Sequence, residues 1–280
     1  MTTTDPTPLV GFIGAGNMAR SLAGGLQRNG WERARLLLAD PLAEQRRAIE
    51  QTLKLETSAD NAEVARRADV LVLAVKPQVL GEVAVHLASA VQQKKPLVVS
   101  IVAGVRIADI DRWLGGGLAI VRTMPNTPAL IGSGASGLYA NRQVTDAQRS
   151  LAESILRAVG VTVWVEDEQL IDAVTALSGS GPAYFFLVLE ALEQAAINAG
   201  LKPEHARLLT IETAVGAAKM ALEGGEEPAL LRQRVTSPGG TTEQALKVME
   251  QAGLRKIFDD AVQAAARRAR ELGDLFGKNP

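Results

Sequence analysis

A glycine-rich turn near the N-terminus is the first segment whose residue types and spacing could support chemistry. Residues 14 to 19 read Gly-Ala-Gly-Asn-Met-Ala, after a short apolar run and before a helical pattern. In dinucleotide-binding turns of this form, Gly14 allows the tight turn, Gly16 lets backbone N–H groups approach a pyrophosphate, and Ala19 lets the helix pack on the strand. An ordinary glycine turn is the alternative. The strand before the turn and the helix after it favour nucleotide binding at the helix N-terminus.

An acidic residue, Asp40, ends the next apolar run, about 20 residues beyond the glycine turn, where an acid can accept hydrogen bonds from the adenosine ribose. Taken alone, Asp40 favours NADH over NADPH, because a 2′-phosphate would meet a negative charge. Arg46 and Arg47 are close enough in sequence to offset that charge. The alternative for Asp40 is a solvated turn residue before Pro41. The residues therefore leave the choice between NADH and NADPH open.

Small and polar residues follow three further strand-like runs. Lys76 stands beside a proline after the fourth run, residues 100–104 form a turn of mainly small side chains after the fifth, and Asn126 and Thr127 follow the sixth. Open parallel sheets bind ligands at the carboxyl ends of their strands, so these segments are expected at one edge. Each also has a purely architectural interpretation as a turn.

A second glycine-rich segment lies in the C-terminal half. Residues 237 to 242 read Ser-Pro-Gly-Gly-Thr-Thr and lead directly into a helical pattern. Glycines and threonines at a helix start gather several backbone N–H donors, which can hold a small carboxylate. A plain turn with a helix cap explains the same residues, since Thr and Gly are ordinary capping residues. The pattern alone does not decide between the two interpretations.

The elements that must position these segments change type along the chain. Apolar runs separated by helical stretches predict a doubly wound parallel sheet with helices on both faces. After residue 165 the sequence shows only helical patterns, with wide apolar faces that favour burial against a partner chain. We therefore predict a dinucleotide-binding domain over residues 1–165 and an all-helical domain over residues 166–280. The predicted strands lie near residues 9–13, 36–39, 53–57, 70–75, 97–101, 118–122 and 161–165.

Composition removes several classes of function. The 280 residues include no Cys, only His86 and His205, and charges that sum to −1. Cysteine chemistry, disulfides and Cys- or His-rich metal sites are thereby excluded, so no metal is expected, and the lack of Cys fits a reducing cytoplasm. A near-zero net charge provides no general attraction for nucleic acid or anionic membranes. No uninterrupted apolar run reaches the length of a membrane span, and the N-terminus lacks the pattern of a signal peptide.

Several segments together resemble the pyrroline-5-carboxylate reductase family. The resemblance rests on motifs that occur in the same order along nearly the whole chain. The last two of them are more diagnostic than the glycine turn. The segments are residues 11–19, 74–77, 124–128, 172–184 and 235–242.

This resemblance implies hydride transfer from NADPH or NADH to the C=N carbon of 1-pyrroline-5-carboxylate, giving L-proline in the last step of proline biosynthesis. It also implies a Rossmann domain followed by a helical dimerisation domain, in homodimers that assemble into a larger ring. The implied cofactor contacts are Gly14, Ala15, Gly16, Asn17, Met18, Asn61, Ala74, Val75, Lys76, Pro77, Ala103 and Gly104, beside Asp40. The implied substrate contacts are Glu168, Ser237, Gly240, Thr241 and Thr242, of which Thr242 is catalytic.

The chemistry of a cyclic imine agrees with the scarcity of strong acids and bases. A carbonyl reductase must protonate an alkoxide and usually needs a positioned acid. An imine nitrogen can arrive already protonated, so orientation and a hydrogen bond between that nitrogen and a hydroxyl such as that of Thr242 are adequate. A β-hydroxyacid dehydrogenase is less consistent with the sequence, because residues 143–201 contain no lysine. A nucleotide-binding protein without catalysis is the third alternative, and the intact 237–242 segment argues against it.

Overall fold

The computed structural model describes residues 7–278, so part of the N-terminal segment assessed above for a signal peptide lies outside the described residues. Its eight-stranded sheet has the order β3-β2-β1-β4-β5-β6-β7-β8. Neighbouring strands pair in parallel, except that β6 and β7 are antiparallel. The strands are β1 Val10–Ile13, β2 Leu36–Ala39, β3 Glu56–Ser58, β4 Val70–Leu73, β5 Leu97–Ser100, β6 Ile120–Met124, β7 Gly134–Ala140 and β8 Gly160–Trp164.

The central strands are buried on both faces, as their continuous apolar runs predict. Every residue of β1, β2, β4 and β5 is buried. Successive side chains of a strand point to opposite faces, and accordingly Phe12 and Ile13 belong to different hydrophobic clusters. The sheet is therefore covered on two sides, and the predicted doubly wound architecture is confirmed.

Two of the helices in this part of the chain begin at a clear start signal in the sequence. Pro77 occupies the first turn of α4, where its missing N–H costs no hydrogen bond. Thr145 and Gln148 form a capping box at the start of α6. The helices in this part of the chain are α1 Asn17–Arg28, α2 Ala43–Thr52, α3 Asn61–Arg67, α4 Pro77–Lys94, α5 Ile107–Trp113, α6 Asp146–Arg157 and α7 Leu170–Val174.

Strand β7 was not among the strands expected from the sequence. It reads Gly-Ala-Ser-Gly-Leu-Tyr-Ala, and glycine and alanine are depleted in strands. Tertiary packing explains the small residues, because a Cβ atom on Gly137 would lie 2.6 Å from Cγ1 of Val174. At Gly134 the corresponding distance to Cβ of Ala129 is 2.9 Å. The small residues of β7 are therefore required by its neighbours in the fold, and a local sequence pattern does not reveal them.

Beyond β8 the described residues contain helices and no strand. Residues Gly181–Gln263 form one compact unit, and the chain up to Ser180 together with the part from Ala264 onward forms another. The boundary predicted between residues 165 and 166 stays a prediction. The remaining helices are α8 Gly181–Asn198, α9 Pro203–Gly224, α10 Pro228–Arg234, α11 Thr241–Gln251 and α12 Leu254–Phe276.

The segment Leu170–Asn198 forms one continuous helical run rather than two helices separated by a break. A π-helical turn over Thr175–Gly179 lets the chain pass the glycine-rich stretch, and Ser180 N donates to Thr175 O at 2.8 Å. By length and composition alone this 29-residue run could cross a membrane. Many of its large apolar side chains, Phe185, Phe186 and Leu187 among them, are exposed. Such a surface marks an interaction site.

Candidate functional site

The nucleotide-binding segments meet at one edge of the sheet. Ile13 pairs in register with both Ala39 and Leu73. The residues that follow these three strand ends, Gly14, Asp40 and Ala74, therefore emerge at the same edge. Because β2 and β4 lie on opposite sides of β1, this edge is a switch point of the kind where open sheets bind ligands.

The glycine turn leaves room for a phosphate at the start of α1. Gly14 has φ +99°, and a Cβ atom on it would lie 2.7 Å from Ala74 O, so no other residue fits without strain. A Cβ atom on Gly16 would meet nothing within 4 Å. Among the described residues no side chain caps α1 at Gly16, so the first N–H groups of the helix stay open to a ligand. Gly16 and Asn17 are exposed, Met18 is half-buried, and Ala15 is buried behind them.

Asp40 is held against the glycine turn by two backbone hydrogen bonds. Its Oδ2 accepts from Ala15 N at 3.0 Å, and its Oδ1 accepts from Leu42 N at 2.9 Å. Arg46 donates to the backbone oxygens of Asp40 and Pro41. The carboxylate is thus an ordered part of the turn rather than a solvated side chain.

Asn61, the first residue of α3, has a buried side-chain oxygen with no hydrogen-bond partner among the described residues. Buried polar atoms are nearly always paired, so an orphan acceptor calls for a missing donor. A ribose hydroxyl is such a donor. Together with the open start of α1, this oxygen means that the residues present fit a dinucleotide.

The segment after β4 packs on the glycine turn. Val75 Cγ1 would lie 3.2 Å from a Cβ atom on Gly14, next to the carbonyl of Ala74. Lys76 is exposed and precedes α4, which begins at Pro77. The structure therefore brings the predicted cofactor residues after β1, β2 and β4 together.

Gly104, predicted beside the nicotinamide with half-buried Ala103, has a structural reason to be glycine. Its φ is +71°, and an added Cβ atom would lie 3.2 Å from Cβ of Leu272 and 3.3 Å from Cδ2 of Phe276 on α12. Both the backbone and the packing on α12 therefore require the residue. Its role toward the cofactor stays a prediction.

Glu168 forms a network with a buried arginine that the sequence interpretation did not include. Its Oε1 accepts from Arg122 Nη1 at 3.1 Å and from Ile107 N at 2.8 Å. Arg122 is only 4% exposed, and its Nη2 lies 3.5 Å from Oδ1 of Asp172. These residues line a cavity of about 560 Å³. Arg122 could have been suspected from the sequence, because a lone arginine ending an apolar strand must find a partner.

The segment Ser237–Thr242 forms a turn followed by an uncapped helix. Gly240 N donates to Ser237 O at 3.0 Å, and Gly239, with φ +71°, donates its N–H to Glu243 Oε2 at 2.8 Å. Gly240 stands at the N-cap of α11, and within the described part of the chain no side chain caps that helix. Threonine capping is therefore not what the structure shows. The first N–H groups of α11 remain open to an anion.

Comparisons with known proteins agree with this arrangement. The family model described as pyrroline-5-carboxylate reductase dimerisation matches residues 168–272, and one described as NADP oxidoreductase coenzyme F420-dependent matches residues 9–104. The pyrroline-5-carboxylate reductase of Pseudomonas aeruginosa is 50% identical over 97% of this chain and 99% of its own length. The Haemophilus influenzae reductase is 42% identical over 96% of this chain and 98% of its own length.

The chain belongs to the pyrroline-5-carboxylate reductase family.

Solved structures support the same assignment. A pyrroline-5-carboxylate reductase from Coxiella burnetii has a TM-score of 0.91 and 47% identity, covering 95% of this chain and 98% of its own. The Plasmodium falciparum pyrroline carboxylate reductase, solved with NADP bound, has a TM-score of 0.84 and 29% identity, with coverage of 95% and 98%. The predictions of the family, of its fold class and of a reductase that uses NADPH or NADH are confirmed. So is the helical dimerisation domain.

Within the pyrroline-5-carboxylate reductase fold, the predicted site residues fall into two groups. The cofactor residues and Glu168 lie in the unit that contains the sheet, and the Ser237–Thr242 segment lies in the helical unit. Thr241 is exposed and Thr242 is half-buried at the start of α11. The individual roles of these residues stay predictions.

Proposed function

We propose that this chain reduces 1-pyrroline-5-carboxylate to L-proline with NADPH or NADH, the last step of proline biosynthesis. The observation that carries the proposal is the open start of α11 behind the Ser237–Thr242 turn, in a chain 50% identical to a reductase named for this substrate. A substrate with one carboxylate and one imine nitrogen needs an anion site beside a hydroxyl. The first N–H groups of α11 together with Thr242 match those two needs.

On the cofactor side, the residues bind and orient a dinucleotide. The open N–H groups at the start of α1 would hold the pyrophosphate behind Gly14 and Gly16, with Asp40 and Asn61 at the adenosine ribose. The bound NADPH or NADH supplies the hydride. Asn17, Met18 and the segment Ala74–Pro77 would complete the contacts at this edge, with Ala103 and Gly104 beside the nicotinamide.

On the substrate side, Ser237 and Thr241 would hold the carboxylate through backbone and hydroxyl donors. Gly240, whose own N–H donates to Ser237 O, would contact it without a side chain in the way. The hydroxyl of Thr242 would hydrogen-bond the imine nitrogen and orient the ring. Because the nitrogen can enter as an iminium, no strong acid is needed to deliver a proton. Most of the acceleration would then come from orientation. We also propose that Glu168 contacts the substrate, although its contacts in the structure are with Arg122 and Ile107 N.

We further propose the surroundings in which the enzyme works. The dimerisation match and the exposed apolar faces of α8 and α9 support a homodimer, and we propose that dimers assemble into a larger ring. We place the enzyme in the cytoplasm, with a small-molecule substrate and no nucleic-acid or membrane partner. The domains proposed for it are residues 1–165 for the dinucleotide and residues 166–280 for the substrate and the partner chain.

The test is oxidation of NADPH or NADH in the presence of 1-pyrroline-5-carboxylate, with L-proline identified as the product. Oxidation that depends on the imine is the expected result. A matched assay offers 3-hydroxy acids with the oxidised cofactor, and no turnover is expected there. Turnover of hydroxy acids without turnover of the imine would contradict the proposal.

A further inference from the structure

The carboxylate of Asp40 stands where the nucleotide's ribose must lie, and it determines which nucleotide fits. We propose that Asp40 makes this reductase select NADH over NADPH. The inference rests on the cofactor site of the proposed function and specifies its cofactor.

Two backbone amides hold the Asp40 carboxylate in place, and each of its oxygens can still accept another hydrogen bond. Ala15 N and Leu42 N each donate to a different carboxylate oxygen, at 3.0 Å and 2.9 Å. A carboxylate oxygen has more than one acceptor position, so both oxygens can still accept from a hydroxyl. Two hydroxyls side by side, as on an unsubstituted ribose, suit this arrangement. The two amides that an added phosphate could have used are already occupied by Asp40.

A second carboxylate is connected to Asp40 through Ser58. Asp40 N donates to Ser58 O at 3.1 Å, and the hydroxyl of Ser58 donates to Glu63 Oε2 at 2.6 Å. The other carboxylate oxygen of Glu63 lies 3.2 Å from Nη1 of Arg67, so Asp40 is the carboxylate that has no ion pair among the described contacts. A ribose phosphate brings a charge of about −1.5 to −2 at neutral pH. A phosphate beside the Asp40 carboxylate would be repelled, and the effect grows where water is partly excluded.

Two of the arginines near Asp40, Arg46 and Arg20, bond to uncharged groups. Arg46 Nη1 donates to Asp40 O at 2.7 Å and to Pro41 O at 3.0 Å. Arg20 Nε donates to Ala15 O at 3.0 Å, and its Nη2 donates to the side-chain oxygen of Gln45. Both side chains thus brace the turns around Asp40. Among the described contacts, neither guanidinium bonds to the Asp40 carboxylate, where a 2′-phosphate would have to lie.

The experiment measures the dissociation constants of NADH and NADPH by nucleotide fluorescence, without substrate, for the wild type and for Asp40→Ser. The wild type should bind NADH at least about tenfold more tightly, and Asp40→Ser should move the ratio at least about tenfold toward NADPH. Asp40→Asn removes the charge with little change of shape and should move the ratio in the same direction. The matched control is Glu44→Gln, which removes an exposed carboxylate from the first turn of α2 and should leave the ratio unchanged.

Equal or tighter wild-type binding of NADPH would overturn the inference, and so would an unchanged ratio in a folded Asp40→Ser or Asp40→Asn protein. A selective loss of NADPH binding in Arg46→Ala would also overturn it, since Arg46 would then be reading the phosphate. Reduction of 1-pyrroline-5-carboxylate with saturating NADH decides the proposed function separately. A protein that binds NADH selectively but leaves the imine unchanged would fail the proposed function and support the role of Asp40.

Discussion

At the scale of single residues, two threonines close in sequence, Thr236 and Thr242, stand in different surroundings. Thr236 donates its hydroxyl to Arg232 O at 2.6 Å, within the end of α10. Thr242 lies half-buried in the first turn of α11, the helix whose start is open to an anion. The first hydroxyl is therefore engaged in local structure, and the second is the one proposed to contact the substrate. This difference makes the pair a matched test of the mechanism.

We expect Thr242→Ala to lower kcat for the imine by about tenfold or more, because a hydrogen bond to a charged group contributes about 1.5–3 kcal/mol. The dissociation constant of NADH should stay near the wild-type value. Steady-state kinetics and nucleotide titration measure the two quantities. Thr236→Ala is the control and should leave kcat nearly unchanged. An unchanged kcat in Thr242→Ala would remove this hydroxyl from the mechanism.

Glu168 has two possible roles that one variant can separate. Its carboxylate pairs with buried Arg122 and accepts from Ile107 N at the start of α5, the helix that follows Gly104. If Glu168 acts only on the substrate, Glu168→Gln should raise KM for the imine and leave NADH binding alone. If it positions α5 through Ile107, NADH binding should weaken and KM should change little.

We expect Glu168→Gln to lower the free energy of unfolding by about 1–3 kcal/mol, because it removes a charged partner from a buried cation. Asp172 remains beside Arg122, at 3.5 Å, which limits the loss. Urea unfolding measures the change. The control is Asp167→Asn, since the exposed carboxylate of Asp167 accepts only from nearby Gln169 N among the described contacts and should matter little. Equal stability of Glu168→Gln and the wild type would show that the network contributes nothing measurable.

At the scale of elements, the strands that could be predicted from the sequence are those with a local pattern. The run ending at Ile13 forms a strand because continuous apolar residues are buried on both faces. Strand β7 could not be found in the same way, because Gly134 and Gly137 are dictated by Ala129 and Val174 across the fold. The backbone contacts of Asp40 and the pairing of Arg122 with Glu168 likewise depend on segments that are distant in sequence. Candidate site residues could be named from the sequence, but the partners that the structure gives them could not.

The close packing around the small residues of β7 leads to a prediction about stability. Gly137→Ala would place a Cβ atom 2.6 Å from Val174, so α7 or the strand must shift. We expect a loss of about 1–3 kcal/mol in the free energy of unfolding, typical of an overpacked core. The control is Gly24→Ala on α1, where the new Cβ atom would meet Leu53 at an ordinary 3.4 Å. That change should be neutral or stabilising by up to about 1 kcal/mol, and urea unfolding compares the two. Equal stability of the two variants would contradict the packing argument.

At the scale of the whole molecule, the helical unit is incomplete as a single chain. Phe186 on α8 is 65% exposed, and Leu208 on α9 is 60% exposed. Monomeric proteins rarely leave large contiguous apolar patches in water. Because a dimerisation model matches residues 168–272, a second copy of the chain is the natural cover for these side chains. The same cover accounts for a helical run that is apolar enough to resemble a membrane span.

We therefore expect Phe186→Asp to shift the assembly toward the monomer, because a charge buried at an apolar interface without a partner is strongly unfavourable. Sedimentation equilibrium measures the mass, and circular dichroism checks that the helices persist. Since dimers of this kind can lose their fold with their partner, the milder Phe186→Ala should show the same effect as a raised dissociation constant at low concentration. Ile131→Asp is the control, because Ile131 is 81% exposed but lies outside the matched range. A fully dimeric Phe186→Asp protein would place the interface elsewhere on the chain.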